Sequence, residues 1–119
     1  MKEETERWLA SADEDLGHAE FMLQGLRPGP AGFFAQQAAE KALKALLIER
    51  QERFPRLHDL VILARELKAP ESMRSVLADL TVAYTQARYP EFDAALTVAQ
   101  AQVLVRGEEE VLGWVRRQV

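Results

Sequence analysis

Apolar residues recur along almost the whole chain at intervals of three and four, the period of an amphipathic helix. From about residue 3 to 25, Trp8, Leu9, Ala12, Leu16, Ala19, Leu23 and Leu26 follow in steps of 1, 3, 4, 3, 4 and 3. Glu3, Glu6, Asp13, Glu14 and Glu20 fill the opposite face. Gly17 interrupts this helix at a cost of about 1 kcal/mol relative to alanine; it is either a close-packing point or a tolerated residue. Residues 25–32, GLRPGPAG, hold three glycines and two prolines, which predicts a loop.

A second helix is predicted from near Ala31 to about Arg53, ahead of Pro55. Its stripe, Ala31, Phe34, Ala35, Ala38, Ala39, Ala42, Leu43, Leu46 and Leu47, alternates steps of 3 and 1. The stripe is mostly alanine, so another helix can approach closely. Gln36, Gln37, Glu40, Lys41 and Lys44 fall off it. A short third helix follows Asp59, a suitable N-cap, with Leu60, Val61, Leu63, Ala64 and Leu67, and Pro70 closes it. Ser72 offers a cap for a fourth, carrying Met73, Val76, Leu77, Leu80, Ala83, Tyr84 and Ala87. Pro90 ends that helix, because a proline disfavours helical backbone in the residue before it. The fifth is predicted from near Glu91 to Arg117 on the spacing of Phe92, Leu96, Ala99, Val103, Val111, Trp114 and Val115. Pro90, Glu91 and Asp93 suit its start, and Arg116 and Arg117 the negative end of its dipole.

No segment reads as a strand or an internal repeat. Short connections make neighbouring helices antiparallel, so the predicted fold is all-α: an up-and-down bundle of four to five helices. The length of 119 residues fits one domain, 1–119. Hydrophobic residues at 48% and charged residues at 29% suit a folded chain. The net charge of −4 argues against a protein that coats nucleic acid, without excluding a local basic pocket. Absence of cysteine removes disulfides, thiol chemistry and cysteine-ligated metals. Two histidines, His18 and His58, leave a zinc site short of ligands. No metal or cofactor is expected. No apolar run nears the ~20 residues of a membrane span, and the N-terminus MKEETERW is unlike a secretory signal. The expected location is the cytoplasm, with no membrane partner.

Candidate chemistry falls in a few places. Arg88, Tyr89 and Pro90 stand at a helix break, with Tyr84 one turn earlier. An arginine beside a helix N-terminus suits a phosphate; the alternative is a turn with a solvated arginine. Arg53, Arg56, His58 and Asp59 precede the third helix, and histidine is the natural acid or base near neutral pH; the alternative is a polar loop. Lys41 and Lys44, with Gln37 and Glu40, share neighbouring rows of one helix, either as ligand contacts or as a solvated face with ion pairs. The run Glu108-Glu109-Glu110 reads as a solvated face, and His18 has no assigned role. Phosphate-loop, nucleophile-elbow and metal motifs are absent.

The run from Phe33 to Ala45, FFAQQAAEKALKA, resembles the second helix of HEPN domains. His58-Asp59-Leu60 resembles the HDL that follows it, and Tyr84 with Arg88-Tyr89-Pro90 resembles the Y-x-x-x-RYP element before the last long helix. These motifs lie in the family's order and cover essentially the whole chain. The resemblance implies a helical bundle that commonly forms a homodimer or higher homo-oligomer. It also implies a nucleotidyltransferase partner in a two-component system of toxin–antitoxin type. Many HEPN proteins are metal-independent ribonucleases with an R-x4-6-H motif, and other branches are thought to bind nucleotides.

Arg88 occupies the arginine position of that motif, but Asp93, Ala94 and Ala95 stand where its histidine belongs. Arginine stabilises phosphate charge, whereas metal-free RNA cleavage also needs an acid and a base. The formal match Arg53-x4-His58 lies between the wrong helices and contains Pro55, which makes it a coincidence of spacing. The expected function is therefore a homodimeric module for a nucleotide or RNA phosphate. Its candidate contacts are Arg88, Tyr89, Tyr84, His58, Asp59, Lys41 and Lys44. The alternatives are a ribonuclease using Arg88 with His58, and a purely structural partner. The alanine stripe and the large surfaces of Trp8 and Trp114 are expected to favour association of copies.

Overall fold

The computed structural model describes residues 1–51, 60–88 and 96–119. Its elements are α1 (Glu3–Gln24), α2 (Pro28–Gln51), α3 (Leu60–Glu66), α4 (Glu71–Arg88) and α5 (Val98–Gln118). The chain is an all-α bundle of five helices, and no strand occurs among the described residues.

The helix ends explain most departures from the predicted boundaries. The loop expected over residues 25–32 shrinks to three residues, because Pro28, Gly29 and Pro30 form the first turn of α2. Two of those three positions lack an N–H, so the turn has few donors left unsatisfied. Leu26, expected on the apolar stripe of α1, lies beyond the helix at φ 57° and is exposed. Its N–H donates to Leu23 O and the Arg27 N–H to Met22 O, closing α1 in a Schellman motif. Lys68, at φ 58°, closes α3 in the same way, with Lys68 N–H to Arg65 O and Ala69 N–H to Ala64 O. Helix α4 begins at Glu71, and the Pro70 carbonyl accepts from Met73 at 3.0 Å, so Ser72 lies inside the helix and not at its cap.

The largest displacement is at α5. Its start is Val98, not Glu91, and extended Thr97 caps it. The Thr97 hydroxyl accepts from Gln100 N–H at 3.1 Å while Gln100 Oε1 accepts from Thr97 N–H at 2.9 Å. This capping box satisfies two terminal donors. Phe92 lies outside the described residues, and Leu96 packs on the core from just before the helix.

Helix α2 is the hub, packing against all four other helices. Its alanine stripe is covered by the chain's own helices, and Ala45 and Ile48 are buried as well. Contacts from Lys2 to Glu49, Ser11 to Lys41 and His18 to Phe34 run in opposite senses along α1 and α2, so the pair is antiparallel. Asp13 pairs with Arg116, while Glu20 and Gln24 lie along a groove with Gln102 and Arg106, so α5 runs antiparallel to α1. Arg50 joins three helix ends: its guanidinium donates to Leu67 O at 2.9 Å and to Gln118 Oε1 at 3.3 Å. Trp114 is buried in the core and Trp8 packs against it, so neither supplies the exposed area expected of it. The large exposed apolar side chains include Phe21, Val103 and Val82.

Candidate functional site

Of the predicted contacts, Arg88 is the last residue of α4, and Tyr84 precedes it by one turn on the same helical row. His58, Asp59 and Tyr89 lie outside the described residues. Arg88 therefore stands at a helix C-terminus, where exposed carbonyls carry partial negative charge and a cation is favoured. The N-terminus of α5, expected next to it, begins ten positions later at Val98.

Lys41 and Lys44 do not lie on a solvated face. They lie in the seam between α1 and α2. The Lys41 ammonium donates to Ser11 Oγ at 2.8 Å and pairs with Asp15 Oδ2 at 2.7 Å. Lys44 is buried, with its ammonium 3.8 Å from Glu40 Oε1 and 6.0 Å above the Trp8 ring. Gln36 and Glu40, also predicted off the buried stripe, are buried too. A ligand reaching either lysine would have to break these contacts. At the open end of the seam, Glu49 accepts from Lys2 N–H and the Thr5 hydroxyl, both at 2.9 Å. Those two bonds, the backbone donor first, hold its carboxyl below the usual carboxylate range.

Glu108 is the functional-type residue that the sequence pattern alone passed over. It is fully buried, while its neighbours Glu109 and Glu110 are exposed. Burial, and then the negative charges of Asp13, Asp15 and Glu109, push its carboxyl well above the usual range. A signal was present: Leu104, Val105, Glu108, Val111, Leu112 and Val115 keep helical spacing, so residue 108 falls on the apolar row.

A shallow groove between α1 and α5 is lined by Glu20, Leu23, Gln24, Gln102, Val105, Arg106 and Glu109. Its charges are mixed, and no candidate contact lines it. Among the described residues no group of three or more metal-ligating side chains converges. No helix among them is long and apolar enough to cross a membrane.

Solved structures share this fold. The sequence model of the HEPN domain matches residues 5–118. The crystal structure of TT1696 from Thermus thermophilus superposes with a TM-score of 0.91 at 26% identity, covering 99% of this chain and 100% of that one. ST0689, an archaeal HEPN homologue, gives 0.82 at 30% identity, covering 99% and 98%. A DNA ligase of Thermoplasma volcanium is 36% identical over 85 residues, which are 64% of this chain and only 14% of that protein.

Proposed function

The chain belongs to the HEPN domain family, and from that membership we propose that it is a binding module for a nucleotide or RNA phosphate. In this reading it works as a homodimer beside a minimal nucleotidyltransferase, in a two-component system of toxin–antitoxin type. The observation that carries it is the Arg88-Tyr89-Pro90 element at the end of α4, followed by Asp93, Ala94 and Ala95 where the nuclease branch has its histidine. A guanidinium presents a planar fork of donors that matches two phosphate oxygens. Tyr84 and Tyr89 bring rings for a base and hydroxyls for a sugar or phosphate. Neither an arginine nor a tyrosine of ordinary pKa transfers protons readily at neutral pH, so the set favours binding over cleavage.

His58 and Asp59 remain candidate contacts on the strength of the HDL motif. Lys41 and Lys44 are better assigned to the α1–α2 seam than to the ligand, given their partners there. Exposed Phe21 and Val103 are consistent with a second copy covering part of the surface.

The test is binding of ATP and of a short RNA, followed by NMR of arginine and tyrosine side chains in the wild type and Arg88→Ala. Saturable shifts lost in Arg88→Ala support the module; wild type unmoved by either probe removes the ligand part. A metal-free RNA cleavage assay runs beside it. Cleavage lost in both Arg88→Ala and His58→Ala would make the protein a ribonuclease with a displaced histidine. Sedimentation at several concentrations tests the homodimer, and co-purification with the nucleotidyltransferase tests the partner.

A further inference from the structure

Glu108 sits on the inward row of α5, and neither carboxylate oxygen accepts a hydrogen bond. An ionised carboxylate without partners in such a place is strongly disfavoured. The packing holds it there. Leu104, Val105, Val111, Leu112 and Val115 are buried on the same helix around it. The adjoining Gly107 is pressed onto α4, where a Cβ would fall 2.3 Å from Val76 Cγ1. That close approach leaves no room for a side chain at this point, so α5 cannot roll there without displacing Val76.

The charges around it make ionisation harder still. Helix α1 presents Asp13 and Asp15, and α5 itself adds Glu109. Three cations of the neighbouring seams are held by partners of their own: Arg116 by Asp13, Lys41 by Asp15 and Ser11, Lys44 by Glu40 and Trp8. Helix α4 meets Gly107 through the apolar Val76, and its nearby Arg74 has a buried Nε without a hydrogen-bond partner.

We propose that Glu108 is a proton latch for α5: as a neutral acid it lets the helix seat against α1, α2 and α4, and loss of its proton loosens that helix from the bundle. The sign follows from the direction of the shift. Its carboxyl in the folded chain stays protonated above the ordinary value of 4.5. The folded state then holds a proton that the unfolded chain has lost, so stability falls as pH rises from that value through the folded pKa.

The experiment is a pH titration of the full chain with 13C-labelled glutamate, joined to amide hydrogen exchange. Wild type should keep one glutamate carboxyl at its neutral-acid shift after the others have ionised, and Glu108→Gln should lack it. Across the titration of that carboxyl, exchange in α5, corrected for its intrinsic pH dependence, should quicken at least about tenfold, the effect of one unit of pKa. Amides of α1 and α2 should change less, and Glu108→Gln should show no such rise. The latch is overturned if every glutamate of the wild type titrates in the ordinary range. It is equally overturned if one stays neutral but α5 exchange is unchanged on its ionisation, or rises alike in Glu108→Gln. The wild-type titration requires no variant, so a misfolded Glu108→Gln leaves the question answerable.

Discussion

Helix α1 faces two neighbours, and its two seams handle buried charge in opposite ways. Against α2, cations bridge to acceptors at Lys2 with Ile48 O and at Lys41 with Asp15 and Ser11, while Lys44 pairs within α2 with Glu40 and lies over Trp8 of α1. Against α5, a pair at the rim, Asp13 with Arg116, is backed by Glu108, which has no partner. A pair that bridges two helices offsets part of its own desolvation and fixes the register, because sliding one helix would separate the bridging pairs together. An unpaired one returns nothing while ionised and is tolerated by taking up a proton. One bundle thus holds a seam whose polar contacts define its alignment and another whose polar group makes it conditional on pH.

The strongest way to break the first seam is to remove a cation and leave its acid behind. Lys44→Met keeps the volume of the side chain but removes the cation that pairs with buried Glu40. Breaking a buried pair from one side costs about 3–5 kcal/mol, to be read from urea denaturation at pH 7. Adding Glu40→Gln should restore part of the loss, because the charge that Lys44 compensated is removed with it. A double variant no better than the single would show that Lys44 acts by packing on Trp8 and not by charge.

The second seam is tested next through its backbone. Gly107→Ala places a methyl group against Val76, whose branched side chain has little rotamer freedom in a helix. Overpacking of this kind costs about 1–3 kcal/mol. Thermal unfolding should show it, and Val76→Ala in the same chain should recover part of the loss. Removing the unpartnered acid should work the other way. Glu108→Met deletes a buried polar group without a hydrogen bond and should raise stability at pH 7 by about 1–2 kcal/mol. That gain should shrink as pH falls toward 4.5, where the unfolded chain also binds the proton. A gain constant across pH would assign the effect to packing alone.

The contrast between seams also marks what was legible in the sequence. Period and breakers placed all five helices, because apolar spacing and prolines act locally. The stripe of α2 was read correctly, but not that α2 is wrapped on nearly every side; that depends on how many helices surround it. Lys44 and Glu40 therefore looked like a solvated face while being buried. Glu108 had a readable signal in its spacing, outweighed by the chemistry of a glutamate run. The start of α5 was misplaced because Pro90 and its acidic neighbours compete with the quieter Thr97-x-x-Gln100 box. Of the candidate site, the Arg88 and Tyr84 positions on α4 follow from periodicity. Contact between the HDL segment and Arg88 would depend on tertiary packing between distant stretches, which spacing along one chain does not encode.

The smallest effect separates two glycines that are indistinguishable by sequence. Gly17 and Gly107 both interrupt long helices, and each has the same intrinsic cost. Gly107 is fixed by Val76, whereas a Cβ on Gly17 would meet nothing within 4 Å. Gly17→Ala should therefore stabilise the chain by up to about 1 kcal/mol, the difference in helix propensity. Chemical denaturation at low protein concentration reads this for the isolated chain. The same variant at high concentration reports on the outer face of α1, which carries exposed Phe21 one turn later. Equal stabilisation at both concentrations means that this face stays in water. A gain that vanishes as copies associate means that a partner's backbone lies against Gly17, and that this glycine too is a close-packing point, one that serves the assembly.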